Sequence, residues 1–378
     1  MDHTSQPFRV LHVMSSVNSG SGIMNVVMNL YRNIDRAKIQ FDFLYLEETP
    51  STCKSEIAEL GGRIFYIEKP GLLSAKHFIS RMDAFFREHA RDYAVIHLHE
   101  LLINAVCLGL AKKHGINHRI VHAHATKYSD KKINALRNYF LCLTLKKYAN
   151  ILFACSRKAG EFLFGRADVK NGKVHILNNA IDCEKYGYNP ETRRKVRKEL
   201  RLENCFVIGH VGRLWKQKNH AFLLDIFFEL YKTEKDAVLL LAGSGELERE
   251  IRDKAHRQGI NKSVIFLGNR SDVRDLLQAM DVFVLPSFFE GLPLTLVEAQ
   301  ASGLRCFTST NVTEEAKVTD LVRYISLSKS AAFWADTISA CRGYERQDAA
   351  ILVKNNGYDI KDVAGKLTQY YSKLAGRA

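Results

Sequence analysis

The chain has 378 residues, 46% of them hydrophobic and 25% charged, which is enough for two cores of ordinary domain size and excludes a disordered, collagenous or low-complexity protein. Residues 1–15 hold no basic region ahead of an apolar core, and no apolar run approaches the roughly 20 residues that span a bilayer, so a cytoplasmic protein is expected. The formal charge of +14 points to an anionic partner, and residues 1–180 carry most of the excess, with 25 Lys and Arg against 15 Asp and Glu.

In chain order, residues 9–15 (RVLHVMS) form an apolar, β-branched run that predicts a strand, followed by a glycine-rich turn at 18–22 and a helical stretch at 23–33. Further strands are expected at 41–46, 63–67, 94–99, 119–123 and 151–154. Helical patterns such as 74–89 and 105–114 lie between them, which implies parallel βαβ units. The pattern then restarts. Residues 206–212 (FVIGHVG) run from a strand into a glycine turn, and strands at 237–242, 264–267, 282–285 and 305–308 alternate with helices at 221–233, 247–258, 273–279 and 294–301. Two doubly wound halves follow, joined near 178–188, with ligands beyond the carboxyl ends of the strands and the working site in the cleft between domains. The expected division is 1–182 for an N-terminal Rossmann-like domain and 183–355 for a C-terminal one. Residues 356–378 are expected to be a helix that packs back on the first domain. The eight cysteines show no Cys-x-x-Cys spacing and no zinc-type cluster, and read as reduced core residues.

The most specific segment is Pro286-Ser-Phe-Phe-Glu290-Gly-Leu-Pro-Leu-Thr-Leu-Val-Glu298-Ala-Gln-Ala-Ser-Gly303. A lone Glu-x7-Glu is more often a cap and a solvated carboxylate, but the proline and glycine context favours a site. With Glu290 just before a helix and Glu298 about two turns in, the two carboxylates would lie on one side, about 12 Å apart along the axis, and serve two parts of one long ligand. Pro293 suits the first helical turn, and the free N–H groups of Gly291, Leu292 and Thr295 can face an anion. The second segment, Gly209-His-Val-Gly-Arg213-Leu-Trp-Lys-Gln-Lys218-Asn-His220, sets Arg213 and Lys218 just past a strand, where Gly212 permits close backbone approach. A solvated basic loop is the bland alternative; beside the acidic segment, the two cations match a diphosphate whose leaving charge must be stabilised.

Taken with Tyr31-Arg-Asn-Ile-Asp35, Ala154-Cys-Ser156, Leu177-Asn-Asn-Ala-Ile-Asp182 and Gly243-Ser-Gly-Glu246, these segments give the chain a plain likeness: it resembles the retaining glycosyltransferases of family 4, especially bacterial exopolysaccharide and capsule enzymes. The resemblance covers most of the chain. It implies a GT-B fold, in which two Rossmann-like doubly wound α/β domains face each other across a cleft. It further implies that Arg213 and Lys218 grip the donor diphosphate, that Glu298 bonds the ribose and that Glu290 contacts the transferred sugar. The segment Leu267-Gly-Asn269-Arg270, with Val273 nearby, resembles the loop against the base, and His124 fits the histidine that faces the reacting sugar. His97, His99 and His122 stay unassigned. Where relatives often read Gly-Gly-Ile-Glu, this chain has Ser21-Gly22-Ile23-Met24, so one backbone freedom and one acidic side chain are lost, although Gly20 and Gly22 can still pass close to the phosphates.

No Asp-x-Asp occurs, so no metal and no cofactor are expected; Arg213, Lys218 and the helix N-terminus take over the electrostatic work. The expected reaction is transfer of a hexose or N-acetylhexosamine from a UDP-sugar, with retention, to a saccharide acceptor in surface polysaccharide biosynthesis. A sugar-nucleotide epimerase of the same fold would need acid/base carboxylates in both domains, and the turns at 18–22 and His124 supply none. A nucleic-acid-binding protein has only the charge in its favour, and a catalytically silent partner subunit sits poorly with intact Arg213, Lys218, Glu290 and Glu298. Between Lys127 and Lys173 lie eleven basic residues against three acidic, and residues 131–150 mix Leu, Phe, Tyr and Ile with paired lysines at both ends, as an interfacial helix would. A peripheral contact with anionic membrane and a lipid-diphosphate-linked acceptor are the expected partners; a solvated helix with one face on the core is the alternative.

Overall fold

The computed structural model describes residues 6–71, 74–126, 128 and 132–376. They form two compact units, Met1–Ala180 with Ile360–Ala378, and Ile181–Asp359.

Seven strands build the first unit: β1 Phe8–Met14, β2 Ile39–Tyr45, β3 Ile64–Tyr66, β4 Val95–Leu98, β5 His118–Ala123, β6 Ile151–Ala154 and β7 Val174–Ile176, in the spatial order β3-β2-β1-β4-β5-β6-β7. Every pairing is parallel. Strands covered on both faces read as apolar runs, and Val10, Leu11, Val13, Ile96, Leu98 and Val121 are fully buried. On one face, Leu11, Val13, Ile96 and Leu98 pack with Phe78, Met82, Phe86, Cys107 and Leu108 of the helices Ala75–His89 and Asn104–Lys113. The other face is covered by the helix Gly22–Asn33, through Met24, Val27 and Tyr31, and by the C-terminal helix Ile360–Leu374, through Tyr371. Ser21 caps Gly22–Asn33 by accepting from Met24 N at 3.5 Å, which gives the serine of the altered glycine turn a structural task.

The second unit repeats the plan with β8 Phe206–Val211, β9 Ala237–Ala242, β10 Val264–Phe266, β11 Val282–Leu285, β12 Arg305–Ser309 and β13 Val322–Ile325, ordered β10-β9-β8-β11-β12-β13. β8 and β11 sit at the centre, where the strand order reverses, and their carboxyl ends open one rim for a ligand. Leu276, Leu296 and Val297 fill one face of this sheet, and Leu223, Phe227 and Trp334 fill the other.

Two strands have no counterpart in the sequence reading, β7 and β13. Both are short outermost strands with exposed positions, so the apolar run that marks an inner strand is missing. The continuous helix expected over 131–150 is corrected to two, Lys132–Cys142 and Leu145–Tyr148. Asn104 Nδ2 and Thr144 Oγ1 donate to the Leu141 carbonyl at 2.8 and 3.2 Å, so side chains replace the backbone amides that would continue the helix. Lys127 and Lys131 lie outside the described residues.

Candidate functional site

Three loops at the carboxyl ends of β8, β9 and β10 are stitched together through their backbones. Gly212 N donates to Ala242 O at 3.0 Å, Leu214 N to Ser244 O at 3.0 Å and Gly243 N to Gly268 O at 2.8 Å. Gly243 has φ +135°, and a Cβ there would stand 2.0 Å from the Gly212 carbonyl oxygen, so only glycine lets the two loops touch. Ser244 Oγ adds a bond to Asn269 Oδ1 at 2.9 Å. The stitching holds Arg213 out into solvent over the Trp215 ring, 5.9 Å from its centroid, and among the described residues no carboxylate pairs with it. Arg270 is partly neutralised by Asp272 at 2.5 Å, and Val273 begins the next helix and packs on the core.

Lys218 ends the single turn Lys216–Lys218, after which Asn219, in the left-handed region at φ +57°, leads into the helix His220–Thr233. The loop after β11 is tied to this turn by Phe288 N on Gln217 O at 2.9 Å and Asn219 Nδ2 on Pro286 O at 3.1 Å. Glu290 is thereby brought to Lys218: Nζ lies 2.7 Å from Oε1, with Ser287 Oγ at 2.9 Å and Gln217 Nε2 on Oε2 at 3.1 Å. Its side chain is 9% exposed. The helical-wheel relation drawn between Glu290 and Glu298 does not hold. Glu290 sits in a β-bridge with Val312, outside the helix, and Pro293, extended at ψ 107°, is the residue before the first helical turn. The helix is Leu294–Ala301, so Glu298 is one turn in rather than two.

At that helix start Leu292 is buried and Gly291 half-buried, and the Thr295 hydroxyl is buried without a hydrogen-bond partner among the described residues. A buried hydroxyl left unpaired at a helix N-terminus, beside amides with no intrahelical acceptor, is chemistry that suits an anionic oxygen. Burial raises the Glu298 carboxyl to about 7, partly offset by the nearby Tyr186 hydroxyl. The native carboxyl therefore keeps a proton that the unfolded chain releases above its ordinary value of 4.5, so this group lowers stability as pH rises from 4.5 to about 7.

In the first unit, Gly22 opens its helix with nothing among the described residues within 4 Å of a would-be Cβ, so neither close packing with them nor a positive φ requires a glycine there. His124 follows the end of β5, and its Nε2 lies 2.7 Å from His99 Nδ1. Burial lowers its imidazole to about 3, so the ring is neutral. Of the residues that sequence reasoning passed over, Ser287 and Gln217 sit inside quoted segments and hold Glu290, while nothing in its local sequence marks Tyr186 as the neighbour of Glu298.

Residues 205–340 match the family described as "Glycosyl transferases group 1", and residues 20–185 match "Glycosyltransferase Family 4". The chain is 35% identical over 373 residues, 96% of each sequence, to the putative glycosyltransferase EpsF of Bacillus subtilis. It is 26% identical over 322 residues, 82% of this chain and 81% of the relative, to the UDP-Gal:alpha-D-GlcNAc-diphosphoundecaprenol alpha-1,3-galactosyltransferase of Escherichia coli. Among solved structures, Anabaena Alr3699/HepE in complex with UDP-glucose superposes with a TM-score of 0.76 at 17% identity, covering 97% of this chain and 99% of that one.

Proposed function

Because this chain belongs to glycosyltransferase family 4 and has the GT-B fold, we propose that it transfers a hexose or N-acetylhexosamine from a UDP-sugar to a lipid-diphosphate-linked saccharide, with retention at the anomeric carbon, in surface polysaccharide biosynthesis. The observation that carries this reading is the rim at the carboxyl ends of β8 to β11, where an exposed Arg213, the Lys218 ammonium and the unpaired Thr295 hydroxyl provide cations and donors for a diphosphate. The donor class is supported by HepE, solved with UDP-glucose, and the acceptor class by the E. coli relative, whose name gives a diphosphoundecaprenol-linked sugar.

In the proposed reaction, Arg213, Lys218 and the N-terminus of Leu294–Ala301 stabilise the departing nucleoside diphosphate, whose phosphate takes the proton of the attacking hydroxyl. Gly212, Gly243, Asn269, Arg270 and Val273 shape the nucleotide pocket. Gly291 and Leu292 offer amides, and Glu290 orients the sugar. We assign Gly22 to the phosphates and His124 to the transferred sugar. No metal is called for, because the cations already supply the charge. A panel of UDP-glucose, UDP-galactose and UDP-N-acetylglucosamine, followed by mass spectrometry in excess EDTA, tests the reading. Turnover of one donor is expected to persist in the chelator, and activity restored only by magnesium or manganese would show the electrostatic assignment wrong.

Glu298 is proposed to accept hydrogen bonds from the ribose hydroxyls, which the ionised carboxylate does better. UDP affinity should then rise from pH 6 to pH 8, across the value near 7, and level off above it. Calorimetry on Glu298→Gln should give a flatter profile; an equal slope in both proteins would remove the ribose contact, since UDP's own titration is common to the two.

A membrane contact is supported by the helix Lys132–Cys142 and the residue after it. Ile133 is 86% exposed, and Leu136, Phe140 and Leu143 are each more than half exposed, on a unit with a large basic excess. No described helix is long and apolar enough to cross a membrane. Apolar side chains inserted among headgroups, with nearby cations adding about 1 kcal/mol each, would hold the protein at an anionic surface. Lys146 contributes less, being tied to Asp168 at 2.6 Å. Co-sedimentation is expected with vesicles containing phosphatidylglycerol but not with neutral ones, fading with salt. Changing Ile133, Leu136 and Phe140 together to serine should weaken it at least about tenfold. Binding indifferent to lipid charge and to these changes would favour a soluble acceptor.

A further inference from the structure

The two-residue period of parallel strands puts five histidines on one face of the first sheet. His12 of β1 is in register with His97 of β4, His99 lies two residues on, and His122 and His124 take the same face of β5. Neighbouring rings stand 4.1 to 5.4 Å apart. Hydrogen bonds sort them into two rows. In one, His12 Nδ1 lies 3.0 Å from His99 Nε2, and His99 Nδ1 lies 2.7 Å from His124 Nε2. In the other, His122 Nδ1 is 3.1 Å from His97 Nε2, and His97 Nδ1 meets the buried Tyr371 hydroxyl at 2.6 Å.

Two triads, His12/His97/His99 and His99/His122/His124, bring ring nitrogens close enough to suggest a cation. The spacings decide against one. Nitrogens bound at about 2.0–2.1 Å to a tetrahedral ion stand about 3.3 Å apart, whereas the contacts along the first row are 3.0 and 2.7 Å, the lengths of hydrogen bonds. Burial keeps all five rings neutral, lowering His12 and His124 to about 3 and the other three well below the ordinary imidazole value. Asp42, the one charge that favours a cationic His12, is already engaged by Arg9 and Arg63.

A neutral imidazole has one N–H and one bare nitrogen, so the state of one end of a row dictates the other. His12 Nε2 is buried and has no partner among the described residues. Buried N–H groups without an acceptor are the rarer kind of orphan, so Nε2 is the bare nitrogen and the proton sits on Nδ1. His12 then donates to His99, His99 donates to His124, and His124 carries its own proton on Nδ1. That nitrogen has no partner among the described residues.

We propose that His12 and His99 are positioning residues: through the row His12–His99–His124 they fix the tautomer of His124, so that its Nδ1 meets the substrate as a hydrogen-bond donor and not as a base. This rests on the assignment of His124 to the transferred sugar.

The test begins with the full chain labelled with 15N-histidine, observed by long-range proton–nitrogen correlation, with His124 identified by its loss in His124→Gln. Between pH 6 and 8 the expected state is a protonated Nδ1 and a bare Nε2. A proton on Nε2, or a charged ring, overturns the proposal whatever the variants do. Kinetics on the best of the three UDP-sugars give the second arm. His12→Phe fills the space beside Phe41 and Phe43 but removes the donor, whereas His12→Asn is smaller and polar yet puts an amide nitrogen in place of Nδ1. A role in the row predicts that kcat falls about tenfold in His12→Phe and less than about threefold in His12→Asn, with the donor KM unchanged in both. Packing alone predicts the reverse order, and that result overturns the proposal. Full turnover by His124→Ala, with Nδ1 protonated in the native chain, would remove instead the assignment on which the positioning role rests.

Discussion

Lys218→Ala is expected to lower turnover of the donor at least about a hundredfold, the usual scale for losing one charge that acts on a leaving group. Arg213→Ala should match it. The two side chains are held differently, and the difference shapes the result. Arg213 is exposed and paired with no described carboxylate, so its loss should leave the fold untouched. Lys218 is bound to Glu290, a nearly buried carboxylate, and its removal leaves that charge, among the described residues, with the side chains of Ser287 and Gln217 as donors. A moderate loss of stability, about 1–3 kcal/mol, should accompany the kinetic loss in Lys218→Ala and be absent from Arg213→Ala. Because Lys218 and Glu290 share one ion pair, Glu290→Ala should slow transfer without abolishing UDP binding, and the double variant should lose less than the sum of the two single losses. Steady-state kinetics and urea unfolding on the purified variants check this. Near-normal turnover in either single variant would remove the diphosphate assignment, and additive losses would show that the pair is not a unit in the working enzyme.

Gly243→Ala should damage the donor site through the backbone alone. The added Cβ meets the Gly212 carbonyl oxygen at 2.0 Å and takes a φ of +135°, which side chains avoid. Neither loop can yield cheaply, because Gly212 N, Leu214 N and Gly243 N are all committed to the loops they would have to leave. Overpacking of about 1–3 kcal/mol adds to a strained φ of about 1–2 kcal/mol, so a total near 3 kcal/mol is expected. Relief by displacement would move Arg213 and Asn269, and UDP affinity should fall at least about tenfold. Gly22→Ala, where a Cβ meets none of the described residues, serves as the control and should leave stability near that of the parent. Unchanged urea midpoint and UDP affinity in Gly243→Ala would mean that the loops are not locked as described.

How much of this was legible beforehand depends on the range of the signal. The inner strands and the helices that pack on them announce themselves locally, because a chain buried on both sides must be apolar throughout, as Ala237–Ala242 is, and an amphipathic helix must repeat near 3.6 residues. The outermost strands β7 and β13 lack that signal. The residues at 212–218 and 286–298 stand out as candidates, since glycine, proline, cation and carboxylate fall together beyond strand ends. The restart of the strand and helix pattern at Phe206 marks two α/β units.

What the sequence determined by itself, then, was the α/β class, the inner strands and helices and the residue types at their turns, all properties carried by neighbours along the chain. Tertiary structure decided the pairings. It set Lys218 against Glu290, joined the Gly212, Gly243 and Gly268 loops, brought Tyr186 to Glu298, and aligned His12 with His97, His99 and His124 across three strands. Each of these contacts links residues that are far apart in sequence or in separate strands and is fixed by strand order and register, which no local periodicity encodes.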